Sequence, residues 1–146
     1  MRDETAGRSH RDVLETLAAM DPARLKAEAE AILPALGEVE VIESRTCLVM
    51  LPMRDTVQAT DFHLGDVLMA EAHVRLGAQD VEGYGMVLGH DQERAMAMAL
   101  LDASLAAGIA TDRIEDFVAA AAADLAAAED ELLRRIEATR VEMETF

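Results

Sequence analysis

The hydrophobic and polar positions change period several times along this chain, and each change marks an element. From Ser9 the apolar residues Val13, Leu14, Leu17 and Met20 share one helical face. Asp21-Pro22 resets the chain, with Asp21 as an N-cap and Pro22 at the first helical position. Leu25, Ala29, Ile32, Leu33 and Leu36 carry a second helix to Gly37, which Pro34 is expected to kink or end early. Glu38 to Met53 reads as two strands. Val39 and Val41 alternate with Glu40 and Ile42, and Leu48-Val49-Met50-Leu51 is a short apolar run closed by Pro52, a residue of strand ends and edges. Arg54 to Asp61 is a polar loop. Phe62 to Leu76 is the longest strand, with Leu68, Ala70, Ala72, Val74 and Leu76 on one face and Val67, Met69, Glu71, His73 and Arg75 on the other. Gly77-Ala78-Gln79-Asp80 is a turn, and Val81 begins a further strand.

The stretch from Gly83 to Leu101 organises the rest. Gly83, Gly85, Val87 and Gly89 alternate with Tyr84, Met86, Leu88 and His90, a period of two. From Asp91 the period lengthens, and Ala95, Met98, Ala99, Leu101 and Leu105 fall on one helical face. Asp91 suits an N-cap and Gly108 a C-terminal glycine. Glycine weakens a strand interior, so three on one face need a cause. Close approach of a helix is one, and the favoured one. A ligand at the turn, held by the first amides of the helix, is the other.

A last helix signal follows. Asp112-Arg113-Ile114-Glu115 fits a capping box with Asp in place of Ser or Thr. Ile114, Phe117, Val118, Ala121, Leu125, Ala128, Leu132 and Ile136 hold one stripe. A helix from Arg113 to about Arg140 would run roughly 40 Å, against a radius of gyration of about 15 Å for a chain of this length. The stripe either crosses this chain's own sheet or seeks another chain. Helices, a meander of about four strands joined by short connections, then helices: the order predicts an α+β fold with an antiparallel sheet. Residues 1–8 read as a flexible end and 9–146 as a single domain.

Composition narrows the function. Hydrophobic residues make 51% of the 146, aromatics only 3%, so Ala, Leu, Val and nine Met must fill the core. The formal net charge of −16 has the wrong sign for phosphate neutralisation and sets nucleic acid aside. It favours a basic partner surface. Cys47 stands alone in an apolar run and reads as a buried small hydrophobe. No apolar run approaches membrane-spanning length and the N-terminus has no signal-like h-region, so the expectation is a cytoplasmic protein with no membrane contact.

Candidate chemistry is sparse. His63, Asp66, Glu71, His73 and His90 could supply metal ligands, but without a helical His-x-x-x-His spacing or a second motif. Glu71 and His73 share a strand face about 7 Å apart, which a solvated polar face explains equally well. Asp91, Glu93 and Asp102 offer carboxylates, and Asp91 is already a cap. Ser9, Ser44 and Ser104 lack a nucleophile elbow, and Gly83, Gly85 and Gly89 miss the dinucleotide fingerprint by one position. The face Glu71, His73, Arg75 is the most organised polar patch, with Arg75 its natural anchor for a partner. These readings assign no catalytic residue, metal or cofactor, and point to a subunit or binding module.

An ordered series of segments carries a family resemblance: Val41-Ile42-Glu43, Thr46-Cys47-Leu48-Val49-Met50, Phe62-His63-Leu64-Gly65-Asp66, Val74-Arg75-Leu76, Gly83-Tyr84, Val87-Leu88-Gly89-His90-Asp91, Ala99-Leu100-Leu101-Asp102-Ala103 and Thr139-Arg140-Val141-Glu142. The series resembles the PhnG family, the G subunit of carbon–phosphorus lyase. The resemblance implies an accessory subunit of a core complex with subunits H, I and J in phosphonate breakdown. In such a complex G, H and I, with a further subunit L, attach the phosphonate to C1′ of the ribose of ATP and release adenine. Subunit J later breaks the carbon–phosphorus bond with an iron–sulfur cluster and S-adenosylmethionine. The nucleosidase chemistry is placed on subunit I, so G supports it without catalysing. Arg75, Gly89, His90, Asp91 and Arg140 are the candidate positions for partner or ligand contact on this reading. The chain departs from the family pattern in a glycine-free loop over Asp55 to Asp61, in Ala70-Glu71 where Thr-Arg is usual, and in His90 where Arg is usual. Two rival functions stay beside this one: a stand-alone homo-oligomeric binding module paired through the last helix, and a small metal hydrolase using His63, His73 or His90.

Overall fold

The computed structural model of the protein describes residues 7–141. Of the flexible end expected over 1–8, residues 1–6 lie outside the described residues, as does Glu142 of the family-like tail. Gly7 and Arg8 carry no regular structure.

Two capped helices open the fold. α1 (His10–Ala19) starts at Ser9, whose hydroxyl accepts the Asp12 amide while the Asp12 carboxylate accepts the Ser9 amide. The exchange satisfies donors that the first turn leaves unpaired. α2 (Pro22–Leu36) starts at Asp21, whose carboxylate accepts the Arg24 amide. Pro34 does not end it early: the helix runs on to Leu36 and stops at Gly37, with φ 70°. So near the end, proline removes only the bond to the Glu30 carbonyl.

Among the described residues the sheet has three strands rather than about four. Glu38 to Met53 is one strand, β1 (Val39–Arg54), not two. The polar Glu43 to Thr46 segment, which reads as a break, stays paired with His73 to Ala70 of β2 (Asp61–Leu76). Two features allow it. A register shift between Val41 and Glu43 absorbs Ile42 as a bulge, and Glu43 and Arg45 point to the polar face beside His73 and Glu71. β3 (Val81–Leu88) pairs with the other edge of β2, giving an antiparallel meander of order β1-β2-β3. The class is α+β, as predicted. Pro52 lies on edge strand β1, at a second register shift.

α3 (Gln92–Ala107) lies against β3 and β2. Its buried face meets Ala70, Ala72, Val74 and Leu76 of β2 and Val87 of β3. Gly83 and Gly85 answer the question their pattern raised. A Cβ on either would stand closer than 3.0 Å to the α3 backbone at Ala99, Ala103 or Ala95. The strand glycines are there for helix packing. Gly89 is different: nothing crowds it, and its φ of 95° is the reason for glycine. α2 packs on α3, and α1 packs on α3 and α4.

Gly108 takes the left-handed conformation at the end of α3, and Ile109 N–H reaches back to Ser104 O. α4 (Thr111–Ala138) follows from Ala110, itself left-handed, with no side-chain cap. The capping box expected at Asp112 therefore does not form. The tight turn held by the Ser104 hydroxyl on the Ile109 carbonyl starts the helix earlier, and Asp112 sits inside its first turn, facing the positive end of the helix dipole. The α4 stripe divides. Ile114, Val118 and Ala121 are buried in the core, while Leu132, Leu133 and Ile136 are exposed. The first half packs chiefly on α1 and α3 and does not cross the sheet as one alternative had it, and the apolar residues of the second half face solvent.

Candidate functional site

The turn at residues 89–91 is built around Asp91. Its carboxylate caps α3 by accepting the Arg94 amide at 3.0 Å and pairs with the Lys26 ammonium at 2.9 Å. The Lys26 contact first, and the Arg94 amide second, hold Asp91 below the usual carboxylate range. Asp91 in turn raises Lys26. An anion arriving at the first turn of α3 would meet a carboxylate already in place, so the geometry favours the cap over a phosphate site. Arg94 reaches away from the turn to the carbonyls of Ala18 and Met20, holding the α1–α2 connection against α3.

The second cluster lies on the open sheet face, where cross-strand register brings Arg45, Glu71 and Tyr84 together. The Tyr84 hydroxyl donates to Glu71 at 2.5 Å and Arg45 donates to the other carboxylate oxygen at 3.0 Å. Cys47 lies 3.9 Å from the same oxygen. It is half-buried beside this network, not sunk in the apolar core as its run suggested, because beyond the bulge at Ile42 the positions 43, 45 and 47 of β1 face the polar side. Next along the face, His73 pairs with Glu82 at 3.0 Å and meets the Tyr84 ring edge-on. The phenol bond, then Arg45, holds Glu71 below its ordinary value of 4.5. Partial burial, then the neighbouring carboxylate, pushes Tyr84 up to about 12.

This pair makes a clean prediction, since the chain has one Tyr and no Trp. Absorbance titration should place phenol ionisation near 12 instead of 10.0, and Glu71→Gln should lower it. The raised phenol contributes stability that is fully present below 10.0 and fades as pH rises through the folded value. Glu71, being lowered, contributes stability that is present above 4.5 and fades as pH falls through its folded value. A native midpoint at 10.0 would mean the phenol does not hold Glu71.

The positions singled out from sequence do not converge. Arg75 pairs with Asp80 at the β2–β3 turn, and is held charged by it. It sits opposite Glu82, at the far end of β3 from Gly89 and roughly 20 Å away along the strand. Arg140 lies just beyond α4, 3.4 Å from Glu137. Gly89 sets the turn, and the His90 side chain is exposed at its tip. His63, His73 and His90 stand on the β1–β2 hairpin, the open face and the turn respectively. Among the described residues, no group of three or more His, Cys, Asp or Glu is placed to hold a metal ion.

Sequence reasoning missed Lys26, Arg45 and Tyr84. Only the register of three strands, or a helix contact across 65 residues for Lys26 and Asp91, brings them to their partners. It also missed His10, whose Nε2 lies 2.6 Å from the buried Asp102. That pair borders a cavity of about 660 Å³ between α1, α3 and α4. A groove of about 420 Å³ separates α2 from α3, with Lys26 and Leu33 on its walls.

What the geometry defines is a helix-backed α+β protein with a self-paired polar sheet face left open. The family model of phosphonate metabolism protein PhnG matches residues 8–146. The chain belongs to the PhnG family, and so to phosphonate metabolism. No curated protein matches it. Among the described residues no helix is long and apolar enough to cross a membrane.

Proposed function

We propose that this protein is a non-catalytic accessory subunit of the carbon–phosphorus lyase core complex, acting in the cytoplasm with subunits H, I and J. In that role it supports ATP-dependent formation of ribose 1-phosphonate 5-triphosphate with release of adenine. The observation that carries the reading is the family match over 8–146. The electrostatics agree with it. The most organised polar side chains are paired within the chain: Glu71 with Arg45, Asp91 with Lys26, Arg75 with Asp80. A general acid or base needs reach to a substrate proton, and these groups spend theirs on one another. Of the five contact positions, Arg75, His90 and Arg140 present exposed side chains to a partner, while Gly89 and Asp91 shape the turn that carries His90.

Co-expression with the cognate H, I and J subunits should give equimolar co-elution. The isolated chain should release no adenine from ATP when given a phosphonate. Turnover by the isolated chain would overturn the reading. The exposed Leu132, Leu133 and Ile136 stripe favours one alternative, a homo-oligomeric module paired through α4. Light scattering decides it: a strict monomer removes the alternative.

A further inference from the structure

Beyond the pairing of Met69 with Leu88, the sheet loses its third strand. From there Cys47–Arg54 and Asp61–Met69 continue alone as a two-stranded arm. Such a ribbon is marginal in water without apolar cover. This one carries apolar side chains into solvent on both faces. Leu48 (67% exposed), Met50 and Leu68 continue the side that is buried further down the sheet, and Val49 and Leu51 stand on the other. Leu64 is 63% exposed. Contiguous exposed apolar surface on an otherwise charged protein marks an interaction site. Two apolar faces call for two walls, hence a cleft and not a flat patch. Strand addition along β1 suits the arm less, because Pro52 on that edge has no N–H to give.

Charge selects the occupant. Arg54 against Asp55, Asp61 and Asp66 leaves the arm with a net −2, so −14 of the −16 lies on the rest of the chain. The arm root adjoins the turn before α3, with Gly89 N–H on the Leu68 carbonyl at 2.9 Å. Asp91 and Glu93 at the start of α3 share the one cation Lys26, and Glu43 and Glu71 on the open face share the one cation Arg45, so each cluster at the root keeps an excess negative charge. A wall that covers Leu48 and Leu68 ends beside this root, and charges on its rim act on these acids over a Debye length of about 8–10 Å. A second acidic copy is repelled there and a basic rim is attracted.

We infer that the β1–β2 arm docks this chain into its complex, seated in an apolar cleft of a different, basic-rimmed protein subunit. The inference rests on the subunit reading above. The test is co-expression with the cognate H, I and J subunits of three full-length chains: wild type, Leu48→Ser with Leu64→Ser, and Leu132→Ser with Ile136→Ser on distal α4. Thermal melting of each isolated chain controls for folding. Wild type and the α4 variant should co-elute with the complex. The arm variant should associate at least about 100-fold more weakly, the loss expected from two buried leucines. Raising salt from about 0.05 to about 0.5 M should slow wild-type association. Amide exchange over the arm should slow when wild type enters the complex, a readout that needs no variant. Undiminished association of a folded arm variant, or unchanged exchange, would overturn the inference while leaving the subunit reading standing. So would an arm-dependent homodimer, or indifference to salt. Failure of the wild type itself to co-elute would sink the subunit reading, and the inference with it.

Discussion

Gly85→Ala is expected to destabilise the fold by about 3 kcal/mol or more, at the upper end of overpacking costs. The cause is what the new methyl would meet. At Gly85 it faces the Ala95 carbonyl and the Ala99 amide of α3, backbone atoms with no rotamer to give. Either α3 lifts from the sheet or β3 bends. Lifting opens contacts all along the buried face, where Ala95, Ala99 and Ala103 already bring helix and strand close. Interiors packed at crystal-like density do not absorb such a shift locally. At about 2–4 °C per kcal/mol for a chain of this size, melting should fall by roughly 10 °C. Gly89→Ala isolates the other role of glycine. Its Cβ would have open space, but φ is 95°, so only backbone strain is added, on the order of 1–2 kcal/mol. Denaturant melts of both variants check this. A Gly85→Ala cost no larger than that of Gly89→Ala would mean that the helix is not seated on the strand as described.

The seat of α3 also explains how much of the fold could be read from the chain. Caps and glycines were legible because their physics is local: Ser9, Asp21 and Asp91 start helices where a short polar side chain can meet an orphan amide. The alternation of β2 was legible because its two faces differ in burial. Local rules failed where tertiary structure decides. Glu43 to Thr46 is too polar for a strand by itself, yet is held in one by cross-strand partners on the open face. Asp112 has the right neighbours for a capping box, yet the turn held by Ser104 starts the helix first. Cys47 has apolar neighbours, yet strand parity sends its side chain to the polar side. The open-face cluster was hidden for the same reason. Glu71 was visible as a polar position, but Arg45 and Tyr84 reach it only through register, which no single stretch encodes. The contact role given to Arg75 had a visible motive in its polar face, and the structure adds Asp80 as its companion.

Asp102→Ala is the second substitution with a large expected cost, about 2–4 kcal/mol, from a residue whose role no local pattern announces. Asp102 is a nearly buried carboxylate on α3 with two separate duties. One oxygen accepts the Tyr84 amide at 3.0 Å, and the other lies 2.6 Å from His10 Nε2 on α1. β3 is an edge strand, so its outward amides have no ladder partner. Asp102 supplies one from the helix above, and Ala would leave that donor half-buried without an acceptor. The His10 contact adds less, because its side chain is 70% exposed and water screens it. Asn should therefore recover most of the loss. Its carbonyl can take the Tyr84 amide, and only the charge facing His10 disappears, leaving a deficit of about 1 kcal/mol. Denaturant midpoints rank wild type above Asn above Ala on this account. Amide exchange locates the damage: in the Ala variant protection should fall first in β3 around Tyr84 and in α1, while α2 keeps its rate because it packs on α3 through Leu25, Ala29 and Ile32. Equal midpoints for Asn and Ala would move the main contribution from the Tyr84 amide to the charge facing His10.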